Sequence, residues 1–294
     1  AHVIAMSASD RVVNMPVEFA DEVAKNLECL LLAQPDLIIV ASPASFHANH
    51  AVECIKAGIP VLVEKPVAAN LKDAELIRKA ATKYNVPVAI GYCLRYLSSS
   101  IEIKRLLADG VIGKILNVEV NTGQYLPDWR PTDFKSSVSA SKALGGGALL
   151  ELSHEFDYLV WILGDLKVLY ANLRSSKELG LEVEDIADIV LQTSEEAVCY
   201  VHLDFLQKQA RRRCSFIGAE GRLDWDLVTN SIVFYDQNGR TSLFSEPEND
   251  KNDMYVDMIN DFVSAIQGRA GCFATISDAE KVLQLVTDIR RRAA

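Results

Sequence analysis

Val61-Leu62-Val63-Glu64-Lys65-Pro66 constrains this chain more than any other stretch. An apolar run of strand length stops at an acid, a base and a proline. Proline cannot donate to a sheet ladder, so the strand ends there. Similar runs at 36–41 and 86–92 flank it, with helical patterns between. Strands separated by single helices make a parallel, doubly wound α/β sheet, which takes its ligands at the carboxyl ends of the strands. Lys65 stands at such an end, where an ammonium with three donors can polarise a hydroxyl or carbonyl oxygen and exchange a proton with it. The plain alternative is a strand-end Lys–Glu surface pair.

The same alternation organises residues 1–94. A short strand at 2–7 precedes a helical pattern over 18–33 (Phe19, Val23, Leu27, Leu30, Leu31). Ser45 is an N-cap candidate for a helix with Ala48, Val52 and Ile55 inward and Gly58 as its C′ residue. Asn70 caps the next helix, with Leu76, Ile77, Ala80 and Tyr84 as its core face and Asn85 at its end.

From residue 95 the pattern changes. Ser98-Ser99-Ser100 cap a helix at 101–109, and a strand at 115–123 leads into Tyr125-Leu126-Pro127-Asp128-Trp129-Arg130-Pro131. Exposed rings beside an arginine suit a sugar ring and an anionic substituent, although a loop tryptophan can equally be packing. Gly145-Gly146-Gly147 precede a helix at 148–163, and their backbone is open either to a ligand or simply to a flexible turn. At 100° per residue, Leu152, Phe156, Leu159, Val160 and Leu163 form the core stripe. Glu151, His154, Glu155 and Tyr158 fall opposite, which turns His154 toward water or a cleft. Short strands follow at 166–174, 186–193, 197–206, 212–218, 222–226 and 231–236, and helices at 254–267 and 277–291 close the chain. Hairpin spacing makes that sheet antiparallel. The expected fold is therefore α/β: a Rossmann-like doubly wound parallel sheet in residues 1–94, and an α+β domain with a large, mostly antiparallel open sheet in residues 95–294. A large uncovered sheet face predicts a homodimer or homotetramer through it.

Charge and cysteine usage exclude several functions. The formal charge of −10 disfavours nucleic acid, and no run approaches a membrane span. Six cysteines without a Cys-x-x-Cys pair read as buried reduced thiols in a cytoplasm. His47 and His50 are spaced like metal ligands but lack a carboxylate or thiol partner, so no metal is expected. Arg211-Arg212-Arg213 lies between strands, from where it could reach an anionic substrate.

Several motifs together are similar to those of the Gfo/Idh/MocA family of nicotinamide-dependent sugar oxidoreductases: Ser42-Pro43…His47, Glu64-Lys65-Pro66, Gly91-Tyr92…Arg95-Tyr96, and the glycines before His154-x-x-Asp157. The resemblance runs along nearly the whole chain. It implies hydride transfer between NAD(P) and a secondary alcohol of a sugar or sugar derivative, nucleotide-linked and acidic ones included. Lys65 and His154 would be catalytic, with His154 as the base, Lys65 stabilising the alkoxide and Glu64 orienting it. Ser7, Ser9, Arg11, Ser42, Pro43, His47, Glu64, Lys65 and Arg95 would lie along the cofactor. Tyr96, Trp129, Arg130 and Glu151 would join Lys65 and His154 around the substrate, although Glu151 stands one residue nearer His154 than the family's usual acid.

One family feature is missing. No Gly-x-Gly-x-x-Gly turn appears in the first part, so the chain reads as N-terminally incomplete, either a fragment or a protein that lost its phosphate loop. The turn Ser7-Ala8-Ser9-Asp10-Arg11 suits a 2′-phosphate better than a bare ribose, which tilts the expectation to NADP, while Asp10 keeps NAD open. The rival reading is a non-catalytic sugar-binding or regulatory member of the same fold, or an inactive fragment.

Overall fold

The computed structural model describes residues 1–7, 19–131 and 133–294. At its start β1 (Ile4–Ala5) and β2 (Glu22–Val23) form a small parallel pair, followed by α1 (Leu27–Leu32). The helix expected over 18–33 shrinks to α1 for local reasons. Phe19 sits at φ 66°, outside helical space, and the Asn26 side chain accepts from the Cys29 N–H, which starts the helix there.

β3 (Ile38–Val40), α2 (Ala44–Lys56), β4 (Val61–Val63), α3 (Leu71–Tyr84) and β5 (Val88–Ile90) build a parallel sheet in the order β3-β4-β5. Their register sets Val40, Val63 and Ile90 side by side, so the three carboxyl ends form one edge. α2 begins after Pro43, whose fixed φ suits a helix start, and Ser45 is not its cap. Gly58, at φ 78°, closes the helix as expected, and Asn70 and Asn85 bound α3 as expected. The buried stripe of α3 is Ala74, Ile77 and Ala80, whereas Leu76 and Tyr84 are exposed, because Leu76 lies a full 100° off that stripe.

A 3-10 turn at Cys93–Tyr96 leads into α4 (Ser98–Ala108), which takes the serines into its first turn instead of using them as caps. β6 (Ile115–Gly123) follows, then α5 (Ala148–Glu151) and α6 (His154–Leu163), where one continuous helix was expected. β7 (Leu166–Arg174), β8 (Ile186–Thr193), β9 (Val198–Asp204), β10 (Arg211–Gly218), β11 (Arg222–Asp226), β12 (Ser231–Asp236) and β13 (Gly239–Ser245) complete an eight-stranded sheet with β6, ordered β13-β12-β11-β10-β6-β9-β8-β7. Only the β6–β9 pairing is parallel. β13 escapes sequence patterning because it is a polar edge strand, fixed to β12 by a turn in which Asp236 accepts from the Asn238 and Gly239 N–H groups. One sheet face packs Val118, Val120, Cys199, Val201, Leu203, Cys214 and Phe216 into the same apolar core as Leu149, Phe156 and Leu159.

α7 (Asp253–Ile266) and α8 (Ile276–Ala293) close the fold. Just before α8, Ala274 bridges Ile90 in antiparallel fashion, and α8 then contacts both α3 and β7. The end of the chain thus returns to the parallel sheet. All six cysteines are free, as expected, but Cys29 and Cys272 are exposed, so not all are buried thiols.

Arg95 ties these parts together. It is 6% exposed, and its guanidinium forks onto Asp157 of α6 at 2.9 and 2.7 Å and reaches Asp278 of α8 at 3.4 Å. Breaking a buried ion pair by removing one partner strands the other charge, so Asp157→Ala should destabilise the chain by about 3–5 kcal/mol in chemical unfolding. Asp278→Ala, at a site open to water, should cost about 1 kcal/mol or less.

Candidate active site

Lys65 follows β4 on the shared carboxyl edge, and its ammonium crosses to the mixed-sheet half. There it donates to the backbone carbonyl of Glu151 at 2.9 Å, and the Glu151 carboxylate stands 4.0 Å away. The interruption between α5 and α6 makes this contact possible. In an unbroken helix the Glu151 carbonyl would accept from the N–H of residue 155. Instead Ser153 donates to Leu150 and Glu155 to Leu152, so the backbone tightens by one residue and the Glu151 carbonyl is released. Glu151 also accepts from Ser139 at 3.2 Å.

His154 opens α6, three residues beyond that carbonyl. Its ring meets Tyr92 edge-on, with centroids 5.7 Å apart, and Nδ1 is enclosed without a hydrogen-bond partner. Burial holds the imidazole well below its ordinary range, and the nearby cations Lys65 and Arg212 push it the same way. A neutral imidazole beside a fixed ammonium can accept a proton from a hydroxyl that the ammonium polarises.

Glu64 accepts from the Lys65 backbone N–H at 3.2 Å; the Lys65 side chain takes its direction from Glu151 instead. Burial raises the Glu64 carboxyl above its ordinary range. The carboxylate lies so close to Gly91 that a Cβ there would stand 3.0 Å from it.

Other expected site residues are already engaged within the protein. His47 is 1% exposed, with Nδ1 2.9 Å from the Pro66 carbonyl and Nε2 2.6 Å from the Ser42 carbonyl, so neither ring nitrogen remains for a cofactor. It ties the loop after β3 to the loop after Lys65. Arg95 is consumed by Asp157 and Asp278, and so is not a cation on the cofactor face. The Tyr96 hydroxyl donates to Asp261 at 2.6 Å. The Ser42 hydroxyl and His50 Nδ1 are 3.1 Å apart, and Pro43 precedes the first turn of α2. Trp129 packs edge-on against Phe205 at 5.3 Å, whereas Arg130 is exposed. Ser7 lies two residues past β1, and Ser9, Asp10 and Arg11 lie outside the described residues. Among the described residues no group of three or more His, Cys, Asp or Glu could hold a metal ion.

The three glycines turn out to accommodate the chain itself. A Cβ at Gly146 would meet the Val138 and Ser139 carbonyls, and one at Gly147, which sits at φ 108°, would run into the Glu184 carboxylate. Glu184 accepts the Leu149 N–H at 3.2 Å, and its own carbonyl accepts the Ala148 N–H, so these amides of α5 are taken.

One group enters that sequence reasoning did not assign, Tyr255, and one that it placed only within the Arg211-Arg212-Arg213 run able to reach an anionic substrate, Arg212. Arg212 of β10 pairs through Nε with Glu155 Oε1 at 2.6 Å and through Nη2 with Oε2 at 3.2 Å, while Thr122 donates to the same carboxylate at 3.1 Å. Strand alternation carried the signal: Arg212 shares its parity with Cys214 and Phe216 and faces inward, while Arg211 and Arg213 face out. Tyr255 of α7 has its hydroxyl pushed up to about 12 by burial and by neighbouring Cys93 and Glu64.

Residues 3–92 match the oxidoreductase family profile described as an NAD-binding Rossmann fold, and residues 101–224 match the GFO/IDH/MocA C-terminal domain. The chain is 28% identical over 171 residues to scyllo-inositol 2-dehydrogenase (NADP(+)) IolW of Bacillus subtilis, covering 56% of this chain but 45% of that protein. It is 29% identical over 245 residues to inositol 2-dehydrogenase 1 of Saccharopolyspora erythraea, covering 79% of this chain and 68% of that one. The fold superposes on levoglucosan dehydrogenase, solved with NADH and levoglucosan, at a TM-score of 0.83 and 17% identity, over 93% of this chain and 82% of that one.

His154 should remain neutral through the range near pH 6.5 where a free imidazole titrates, as read by histidine-resolved NMR. Lys65→Met removes one of the cations and should raise that midpoint. The folded state binds this proton less readily than the unfolded chain. Its contribution to stability is therefore intact above pH 6.5 and declines as pH falls below it.

Proposed function

The chain belongs to the Gfo/Idh/MocA oxidoreductase family, and from that premise we propose that it oxidises or reduces a secondary alcohol carbon of a sugar or cyclic polyol with a nicotinamide cofactor. The observation that carries this reading is the Lys65 ammonium bound to the Glu151 carbonyl, three residues from a neutral His154. Residues 1–94 act as the cofactor half and residues 95–294 as the substrate half.

The nicotinamide end of a dinucleotide fits the carboxyl edge of β3-β4-β5. Gly91 leaves room for the Glu64 carboxylate where any side chain would press on it, and the half-buried Lys65 and His154 lie within electrostatic reach of each other. Ser42, Pro43, Glu64 and Lys65 are the residues that would hold that end. Residues 1–57 contain no glycine, so none of them is assigned to the pyrophosphate. Bound nicotinamide supplies the hydride chemistry.

His154 takes the hydroxyl proton at Nε2, because Nδ1 is shut in against the protein. Lys65 spends one donor on Glu151 and directs its others at the substrate oxygen, stabilising the alkoxide as it develops. Lys65 and Arg212 then make the imidazolium a poor proton holder, which favours its release to water. Tyr92 walls the imidazole on one side, and Trp129 and Arg130 stand on the loop after β6 as substrate contacts.

NADP is preferred over NAD in this reading, supported by Ser9 and Arg11 in the sequence and by the NADP(+) named for the Bacillus relative. The protein works in the cytoplasm as a homodimer or homotetramer through the outer face of the eight-stranded sheet. That face carries Glu119, Asn121, Arg211, Arg213 and Asp224 around a cleft of about 410 Å³.

Fluorescence titration should show NADPH binding more tightly than NADH. Lys65→Met should lower kcat on the order of 10²–10³-fold with little change in polyol binding, and His154→Asn on the order of 10²–10⁴-fold. Full turnover by the Lys65 variant would rule out its role. Sedimentation velocity should give a species at least twice the 32.4 kDa chain.

A further inference from the structure

The two cations felt at His154 are each matched by a carboxylate, whereas Arg130 lies exposed on the loop after β6. Lys65 has Glu151 at 4.0 Å and Glu64 beside its own backbone. Arg212 is forked onto Glu155, which is fully buried. Two cations face three carboxylates, so positive charge is not in excess among them. An entering anion finds no net attraction there.

Arg212 nevertheless remains an active donor. Glu155 occupies Nε and Nη2, and among the described residues Nη1 has no hydrogen-bond partner. Nη1 is not among the enclosed atoms, and the side chain keeps 17% of its surface open. Glu155 follows His154 on α6, so the arginine paired with it stands beside the imidazole, where its charge is also felt. A planar guanidinium fixed along one edge presents its other N–H groups in a set direction, which suits neighbouring hydroxyl oxygens on one ring.

We propose that Arg212, held by Glu155, contacts the substrate through Nη1 and makes the crevice select an uncharged sugar or cyclic polyol over a sugar acid. The location of the substrate rests on the hydride-transfer reading; the selectivity rests on the charge pairing. A carboxylate could pair bidentately with Arg212 only by displacing Glu155, which would leave that side chain buried and unpaired, and at Nη1 alone it meets a cation whose charge Glu155 already offsets. Hydroxyl groups need no such exchange.

Binding tests this without turnover. Isothermal titration of the full chain, with and without NADPH, would use myo-inositol and methyl glucoside against glucuronate. The uncharged ligands should bind at least about tenfold more tightly, the equivalent of about 1.4 kcal/mol. Arg212→Lys keeps the charge and loses the fork, and should weaken the uncharged ligands about tenfold while the melting temperature holds near that of the unmodified chain. Glu155→Gln frees the cation and should move the preference toward glucuronate by about tenfold or more. Glucuronate binding as tightly as the polyols, an unchanged affinity in Arg212→Lys, or no binding of either uncharged ligand would each overturn the proposal. Polyol binding without hydride transfer would instead sink the oxidoreductase reading and leave this selectivity standing.

Discussion

A single backbone carbonyl, released where α5 gives way to α6, connects the two halves of the chemistry. The Lys65 ammonium takes it up and is thereby drawn from the edge of one sheet to the helix layer of the other. A long flexible side chain on a strand end would otherwise sample many directions; one charge-assisted hydrogen bond to a rigid helix terminus restricts it. His154 begins the very next helix, so the contact that aims the lysine also sets its separation from the imidazole.

Electrostatics then distinguishes the neighbouring ionisable groups. His154 is desolvated by its half-buried position and flanked by cations, which makes it the neutral partner. Glu64 is driven upward by burial, and the same cause raises Asp157 to about 6 even against the downward pull of Arg95. The pair Arg95–Asp157 and the pair Arg212–Glu155 look alike in the sequence, each an arginine matched with an acid of α6. They differ in exposure: the first is sealed in the core between helices, whereas the second keeps an open edge.

Much of this was legible before any coordinates. Strand limits at 115–123, 166–174, 186–193, 222–226 and 231–236 coincide with β6, β7, β8, β11 and β12, because alternation is a strong signal in a sheet with one buried face. The family and the fold also follow from the motifs. What stayed hidden were features set by contacts distant in sequence. The break between α5 and α6 contains neither proline nor glycine. The fates of His47, Arg95 and Tyr96 depend on Pro66, Asp157 and Asp261, which no local pattern pairs with them. Glu155 and Tyr158 fell on the polar face of a helical wheel, yet both are buried, since that face of α6 is also covered and Glu155 is satisfied by an arginine from the sheet.

The return of the chain at Ala274 bears on how the protein is made. The parallel sheet is covered on one side by α8, which buries Ile276, Ala279, Val282, Leu283, Leu285, Val286 and Ile289. While the ribosome is still translating the eight-stranded sheet, β5 lacks its bridge from Ile90 to Ala274 and α3 lacks the part of its packing that α8 supplies. Although its strands are synthesised first, the N-terminal half must wait for residues 276–293 to emerge before its apolar surface is covered, so nascent chains stalled short of that point expose what the finished fold conceals.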